Sequence, residues 1–309
     1  MTRLKHFFRE SFRNRALIIM ALPGIILVFM FNYMPMFGIS IAFKNFNYGK
    51  GILGSPWCGL DNFKMLITNM NVTSRIVRNT LGYYFLFTAV GTVANVALAI
   101  ALYECVFKRY AKVTQTIMIM PTFISFIAVT YIVNALLNNA TGMFNNILKS
   151  MGKETINWYL SPQYWPAILT VVNVWKGTGY GSIMYLSALS GMDQEIFEAA
   201  QIDGATKGQQ IRYITLPMLT GMICILLLLG LGGIMHSNTG LHYQVTKNVG
   251  LLYSTTQTID AFILNALTSG TSNFGMNAAV TFFQSVVGCV MVVATNLIVR
   301  RWDPDKALF

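Results

Sequence analysis

Residues 192–217 read MDQEIFEAAQIDGATKGQQIRYITLP, a polar stretch set between two apolar runs, Tyr164 to Leu189 and Met218 to Met235. Its 26 residues are more than a turn between neighbouring helices needs, and long structured connections are more often functional than incidental. Asp193 is placed to cap a short helix. Glu195 and Glu198 fall in its first turns, where the positive end of the helix dipole favours acids, and Gly204 is placed to end it. Ile196, Ala199 and Ala200 share one face, with Phe197 and Gln201 beside it. The two alanines leave little bulk, so the surface of another protein can approach the backbone closely. The expected element is a short docking helix.

The runs on either side belong to a chain built for lipid. Of 309 residues, 22 are Lys or Arg and 11 are Asp or Glu, so 11% are charged, against roughly 25% in a soluble globular chain. With 54% hydrophobic residues and a mean hydropathy of +0.53, a water-facing surface would be too apolar to stay dispersed. A soluble enzyme domain is excluded. Segments of about 20 mostly apolar residues suffice to span a bilayer. They fall at Ala16–Ala42, Leu81–Phe107, Val113–Leu137, Tyr164–Leu189, Met218–Met235 and Asn277–Val299, which predicts an all-α membrane protein of six spans. The implied organisation is a tail and first span over 1–43, an extracytoplasmic segment over 44–79, a core over 80–300 containing the loop 190–217, and a tail over 301–309.

The net charge of +11 reads as a topology signal rather than a nucleic-acid footprint, because it is unevenly distributed. With the N-terminus inside, the inner segments hold 13 basic residues (Arg3, Lys5, Arg9, Arg13 and Arg15 at the start, Lys306 near the end) and the much longer outer segments hold 8. Both termini and the 190–217 loop are therefore expected in the cytoplasm. Cys58, Cys105, Cys224 and Cys289 are widely spaced and form no thiolate metal pattern, and His6, His236 and His242 form no ligand set.

Glu198-Ala199-Ala200, then three residues, Gly204, then nine, Ile214, one more, and Leu216-Pro217 resemble without departure the EAA loop of permease subunits in bacterial ATP-binding-cassette importers. Leu22-Pro23-Gly24, FNYMPMFGISIAFKNFN at 31–47, GSPWCGLDNFKML at 54–66, Val174-Trp175-Lys176-Gly177, Tyr185 to Leu189, and FGMNAAVTFFQSVVG at 274–288 are similar to the carbohydrate-uptake branch serving oligosaccharides and polysaccharide fragments. The resemblance implies a type I importer permease fold, a five-helix core plus an N-terminal helix. It implies that Glu198, Ala199, Ala200, Gly204, Ile214, Leu216 and Pro217 couple the spans to an ATPase. It further implies a second similar permease, two ATPase subunits carrying ATP and Mg, and an extracytoplasmic solute-binding protein. On these terms the chain itself holds no cofactor.

Polar residues within the spans are the candidates for a solute path. Lys176 stands mid-span, where a charge costs about 2.5–3.5 kcal/mol on insertion scales and needs a partner or water. One reading places Lys176 on the path with Asn173 and Trp175. The other has it lock its helix to a neighbour, through a carbonyl or Glu104. Asn277, Gln284 and Asn296 lie roughly on one face of the last span, lining the path or bonding across helices. Gly177, Gly179 and Gly181 suggest close helix packing, and Pro23, Pro35 and Pro121 suggest kinks. The sequence contains no phosphate loop and no HExxH, GxSxG or paired-acid arrangement, so energy is expected from partner subunits. An ion-driven secondary transporter, for which Glu104 and Asp260 are the available intramembrane acids, and an importer of amino acids or phosphate are the alternatives.

Overall fold

The computed structural model describes residues 15–269 and 273–302. Arg3, Lys5, His6, Arg9, Arg13 and Lys306, with most of both expected tails, lie outside them. Among the described residues all regular structure is helical, apart from one isolated bridge between Lys44 and Trp57. The principal helices are α1 (Arg15–Phe43), α2 (Met70–Tyr103), α3 (Lys108–Phe123), α4 (Phe126–Leu137), α5 (Trp165–Ser190), α6 (Gln194–Ile202), α7 (Lys207–Leu231), α8 (Ile259–Thr268) and α9 (Phe274–Trp302).

Four of these, α1, α2, α7 and α9, are long and apolar enough to cross a membrane. The run Val113–Leu137 is not one straight helix. α3 and α4 meet at an angle of 98°, and together they make up a fifth span if counted as one. Pro121 withholds a backbone donor near the end of α3, Ile124 and Ser125 are extended, and the Ser125 hydroxyl accepts from Ala128 N–H at 3.2 Å to start α4 afresh. At 26 residues α5 is also long enough, but Asn173, Lys176 and its glycines make it less apolar than the others. The second helix begins at Met70, some ten residues before the apolar run at Leu81, because amphipathic sequence continues the helix beyond the apolar part.

The contacts divide the chain into two units, one running up to Thr68 together with Asn273–Phe282, the other comprising Asn69–Ser272 and the chain from Phe283 onward. In the first, the segments at 31–47, 54–66 and 274–282 meet. Phe43, Phe63 and Phe282 pack tilted or edge to face, with ring centroids 5.5–6.2 Å apart, and Phe274 packs on Phe46 and Tyr48. Asn62 Nδ2 donates to the carbonyls of Ala42 (2.9 Å) and Lys44 (3.0 Å). A Cβ on Gly275 would lie 2.5 Å from that amide. The spacing of aromatics and amides across three distant segments thus encodes one small packed unit. α1 itself leaves Leu17, Ile19, Met20 and Phe37 exposed, as a helix facing lipid or another membrane subunit does.

In the second unit α2 packs along α5, and α3 crosses the same helix. The approach of α3 is set by Gly179, where a Cβ would fall 1.8 Å from the Met118 carbonyl oxygen. Gly181 fits against Asn95 in the same way, whereas Gly177 has nothing within 4 Å, so the close-packing register is 179 and 181 rather than 177 and 181. Trp165, Leu169, Val129 and Leu241 form the dry centre of one cluster, and Val96, Ala99, Leu189 and Leu219 that of another. Asp260 of α8 accepts from Ser237 N–H (2.5 Å) and from Gln284 Nε2 (3.3 Å), with His236 Nδ1 at 3.5 Å. The hydrogen bond to Asp260 raises the imidazole's pKa above its ordinary value. Burial pushes the Asp260 carboxyl up, but the hydrogen bonds from His236, Ser237 and Gln284 outweigh it and hold the group below its ordinary value.

Two measurements on the purified chain in detergent test this packing. Gly179→Ala must displace backbone and should cost about 1–3 kcal/mol, while Gly177→Ala should be neutral or raise Tm, since alanine favours a helix by about 1 kcal/mol over glycine. The imidazolium contributes fully below about pH 6.5 and loses its contribution as pH rises through its raised folded value, and the carboxylate contributes above about pH 4. The pair therefore counts most in mildly acidic solution. With His236 half exposed its worth is below about 1 kcal/mol, and His236→Asn should flatten the Tm decline between about pH 5.5 and about pH 8.5.

Candidate coupling site and solute path

The 192–217 loop folds as two capped helices around a glycine. Asp193 Oδ1 accepts from Glu195 N–H at 3.0 Å and opens α6. The helix closes with Ala205 N–H on the Ala200 carbonyl (2.9 Å) and Gly204 N–H on the Gln201 carbonyl (3.1 Å), the paired bonds of a left-handed helix stop. Gly204 has φ +81°, and a Cβ there would meet nothing within 4 Å, so glycine is needed for backbone conformation and not for space. Thr206 and Gln209 then form a reciprocal capping box that starts α7. Pro217 cannot donate to the Tyr213 carbonyl, and the turn Ile211–Thr215 is widened just before it. Ile214, Leu216 and Pro217 thus mark the joint between the loop and the following span.

Only Phe197 of α6 is buried, while Glu198, Ala199 and Ile196 are exposed and Ile202 is 87% exposed. Apolar Ile196 and Ile202 are thus left uncovered on a short helix, as the expected docking role would need. The sequence reading placed Phe197 beside the working face without seeing that it anchors the helix. Phe197 is the one aromatic among these nine residues, and that was the available signal.

Lys176 takes the locking role rather than an open position. Its ammonium donates to the carbonyls of Pro121 (3.0 Å), Thr122 (2.9 Å) and Ile124, and lies 4.9 Å from the Phe126 ring. Thr122 Oγ1 returns a bond to the Lys176 carbonyl at 2.8 Å. Pro121 O also accepts the Ile124 N–H at 3.2 Å, and the lysine adds a donor to it and to the carbonyls of Thr122 and Ile124, so it caps the break between α3 and α4. Glu104 is not its partner and pairs instead with Lys207 at 2.9 Å. Gln284 is fully buried and donates to the Met235 carbonyl at 2.7 Å, which is cross-helix bonding.

The remaining candidates are less committed. Asn173 lines a cavity of about 200 Å³ with Thr88, Asn95 and Gly177. Trp175, two residues on and so nearly opposite on the helix, is 42% exposed. Asn277, in the first unit, is buried with neither side-chain polar atom hydrogen-bonded. The sequence reading missed Thr88, Thr92 and Asn95, which recur at four and seven along α2. All three line the cavity beside Asn173, and all three line a second of about 270 Å³ bounded by Tyr84 and Tyr185. Asn95 Oδ1 and Thr178 Oγ1 are buried without a hydrogen-bond partner. A polar stripe at helical spacing in an apolar span was legible but was not singled out.

Residues 106–304 match the family model described as binding-protein-dependent transport system inner membrane component. Protein LplB of Bacillus subtilis is 30% identical over 294 residues, covering 95% of this chain and 91% of that protein. The polygalacturonan/rhamnogalacturonan transport system permease protein YteP of the same organism is 30% identical over 305 residues, covering 97% and 92%. Among solved structures, a chain of a bacterial ABC transporter involved in the import of the acidic polysaccharide alginate superposes with a TM-score of 0.85 at 31% identity, covering 96% of this chain and 99% of that one. A further structure of an alginate ABC transporter, in complex with an alginate pentasaccharide-bound periplasmic protein, gives 0.83. The helical order, the capped loop and these matches together place the chain in the family of binding-protein-dependent transport system inner membrane components, as a multi-pass membrane protein.

Proposed function

We propose that this chain is the permease subunit of an ATP-driven importer of oligosaccharides or polysaccharide fragments. The observation that carries the reading is α6, a short capped helix with Glu198, Ala199 and Ile202 uncovered, built on the connection between α5 and α7. The relatives' names support the solute class, with YteP named for polygalacturonan and rhamnogalacturonan and the structural neighbour for alginate.

On this reading six spans cross the membrane: α1, α2, the bent pair α3 and α4 as one, α5, α7 and α9. Both termini and the 190–217 loop face the cytoplasm. Residues 1–43 supply the tail and first span, 44–79 an extracytoplasmic segment, 80–300 the core, and 301–309 a second tail. A second permease completes the path, a solute-binding protein delivers from outside, and two ATPase subunits hold ATP and Mg. The chain contributes no hydrolytic site of its own. ATP drives alternating access only by binding the two states unequally, and α6 is where that difference reaches the spans. Glu198, Ala199 and Ala200 form the seat, Gly204 fixes its exit, and Ile214, Leu216 and Pro217 set the joint to α7. Asn173 and Trp175 belong to the solute path, where an amide bonds hydroxyls and an indole stacks on a sugar face. Asn277 is a path candidate of the same kind, while Lys176 and Gln284 serve as scaffold. Glu104 and Asp260, the acids an ion-driven transporter would use, are both engaged in ion pairs.

Reconstitution of the complete complex in proteoliposomes tests the reading: uptake of labelled oligosaccharide should require ATP inside and loaded binding protein outside, and uptake that survives ATP depletion refutes it. Gly204→Glu should leave insertion and subunit levels unchanged and lower solute moved per ATP about tenfold. Lys176→Met, by contrast, should lower the yield of assembled complex and cost about 1–3 kcal/mol of stability, because it removes the ammonium donor from the Thr122 and Ile124 carbonyls at the break.

A further inference from the structure

The chain joins α6 to α5 on one side and to α7 on the other. Side-chain bonds tie the same loop to a third span to which it is not joined in sequence. Gln194, the first residue of α6, donates Nε2–H to the Tyr103 hydroxyl at 2.7 Å. Lys207, the first residue of α7, pairs with Glu104 at 2.9 Å. Tyr103 is the last residue of α2 and Glu104 its cap, so the two ends of the loop hold consecutive residues at one helix end. Between these points the buried Phe197 lines, with Leu102 and Leu186, a cleft of about 740 Å³ that also contains all four bonded residues.

Two bonds flanking α6, one at its first residue and one beyond its glycine stop at the start of α7, resist rotation in a way that one cannot. A single link leaves the helix free to swing about it, whereas two links on adjacent residues of α2, with Phe197 between them, fix tilt as well as position. We propose that Gln194–Tyr103 and Lys207–Glu104 form a two-point clamp that makes α2 a driven element of the transport cycle, moved by the docking helix alongside α5 and α7. The inference rests on the permease reading and adds a third arm to it. Its reach is set by helix geometry: Asn95 and Thr88 lie about 12 Å and about 22 Å along α2 from the clamp at a rise of 1.5 Å per residue. Movement delivered at Tyr103 therefore reaches the polar stripe beside Asn173 through one uninterrupted helix. The four residues act as positioning residues and touch neither solute nor nucleotide.

Lys207 is 68% exposed at its side chain and Glu104 20%, so the double reversal, which keeps an ion pair at the same place, controls for any stability lost in the single reversals. Reversing the pair should thus spare insertion and assembly, and an effect on transport reports coupling. In the reconstituted full complex, Glu104→Lys and Lys207→Glu should each lower solute moved per ATP hydrolysed about fivefold while ATPase activity stimulated by loaded binding protein persists, and the double reversal should recover to within about twofold of the unaltered complex. Tyr103→Phe, which removes only the acceptor oxygen for Gln194, should shift the same ratio in the same direction and decides the matter if a reversal fails to accumulate. Transport per ATP unchanged within about twofold in the single reversals and in Tyr103→Phe overturns the clamp, as does failure of the double reversal to recover at normal subunit levels. If the unaltered complex shows no ATP hydrolysis responsive to loaded binding protein, the permease reading has failed and the clamp falls with it. Intact coupling in the unaltered complex with indifferent variants refutes the clamp alone.

Discussion

A helix that stops inside a membrane leaves carbonyls that lipid cannot satisfy, and one ammonium group resolves that problem in this protein. Lys176 of α5 binds the carbonyls of Pro121, Thr122 and Ile124, where α3 ends and the chain turns through 98° into α4. Without a donor at this point the break would cost several kcal/mol for each unpaired group in hydrocarbon. With it, the bend becomes a fixed feature around which α3 can lie against the Gly179 backbone. The lysine also escapes the expense of an isolated charge in the span, because the negative end of α3 is its counter-charge. Break and lysine explain one another, and neither makes sense alone.

The same logic governs the docking loop at the opposite extreme of polarity. There the backbone is open to water and nothing forces the chain into one shape, so each turn is specified locally, by Asp193 at the start of α6, by Gly204 at its end and by Thr206 with Gln209 at the start of α7. Each of these devices is short-range and each is independent of the membrane. A loop whose shape is determined by its own residues can present the same surface in both states of a transporter while the spans beneath it rearrange. A surface of fixed shape is what the proposed docking role of α6 requires.

Legibility in the sequence followed the range of the interaction. The apolar runs, the cap at Asp193 and the stop at Gly204 are written within a few residues, and the structure places helices over each of them. Pro121 announced a kink, but its size depends on Lys176, which lies 55 residues away in sequence, and hydropathy registers no difference between a straight span and one bent by 98°. Gly177 and Gly179 look equally suited to close packing in a sequence. Only the position of Met118 distinguishes them. The segments carrying Phe43, Asn62 and Phe274 were noticed as separate similarities, and nothing local indicates that they assemble into one unit. The stripe of Thr88, Thr92 and Asn95 obeyed the helical period, yet an apolar average over α2 conceals three small polar groups.

Polar groups in the spans fall into two kinds, and the distinction bears on where a hydroxyl-rich solute would be met. The Lys176 ammonium and Gln284 Nε2 are committed to backbone carbonyls, and drawing them toward a solute would strip the helix end and turn they satisfy. Asn95 Oδ1, Thr178 Oγ1, Gln284 Oε1 and both side-chain polar atoms of Asn277 have capacity that no protein group uses. Leaving such groups unpaired in a buried site costs about 1–3 kcal/mol each, a cost the fold has no packing reason to bear. A transported sugar offers the complement, a surface of donors and acceptors that would relieve those groups in passing. It would hold none of them so tightly that it could not leave, because each is a single neutral amide or hydroxyl. Weak, distributed and unspent hydrogen-bonding capacity is what a path needs, and charge is what it should avoid. The lysine that first drew attention in the sequence is spent on its neighbour's backbone, whereas Asn95 and Thr178, beside Asn173, keep the hydrogen-bonding capacity that the proposed path requires.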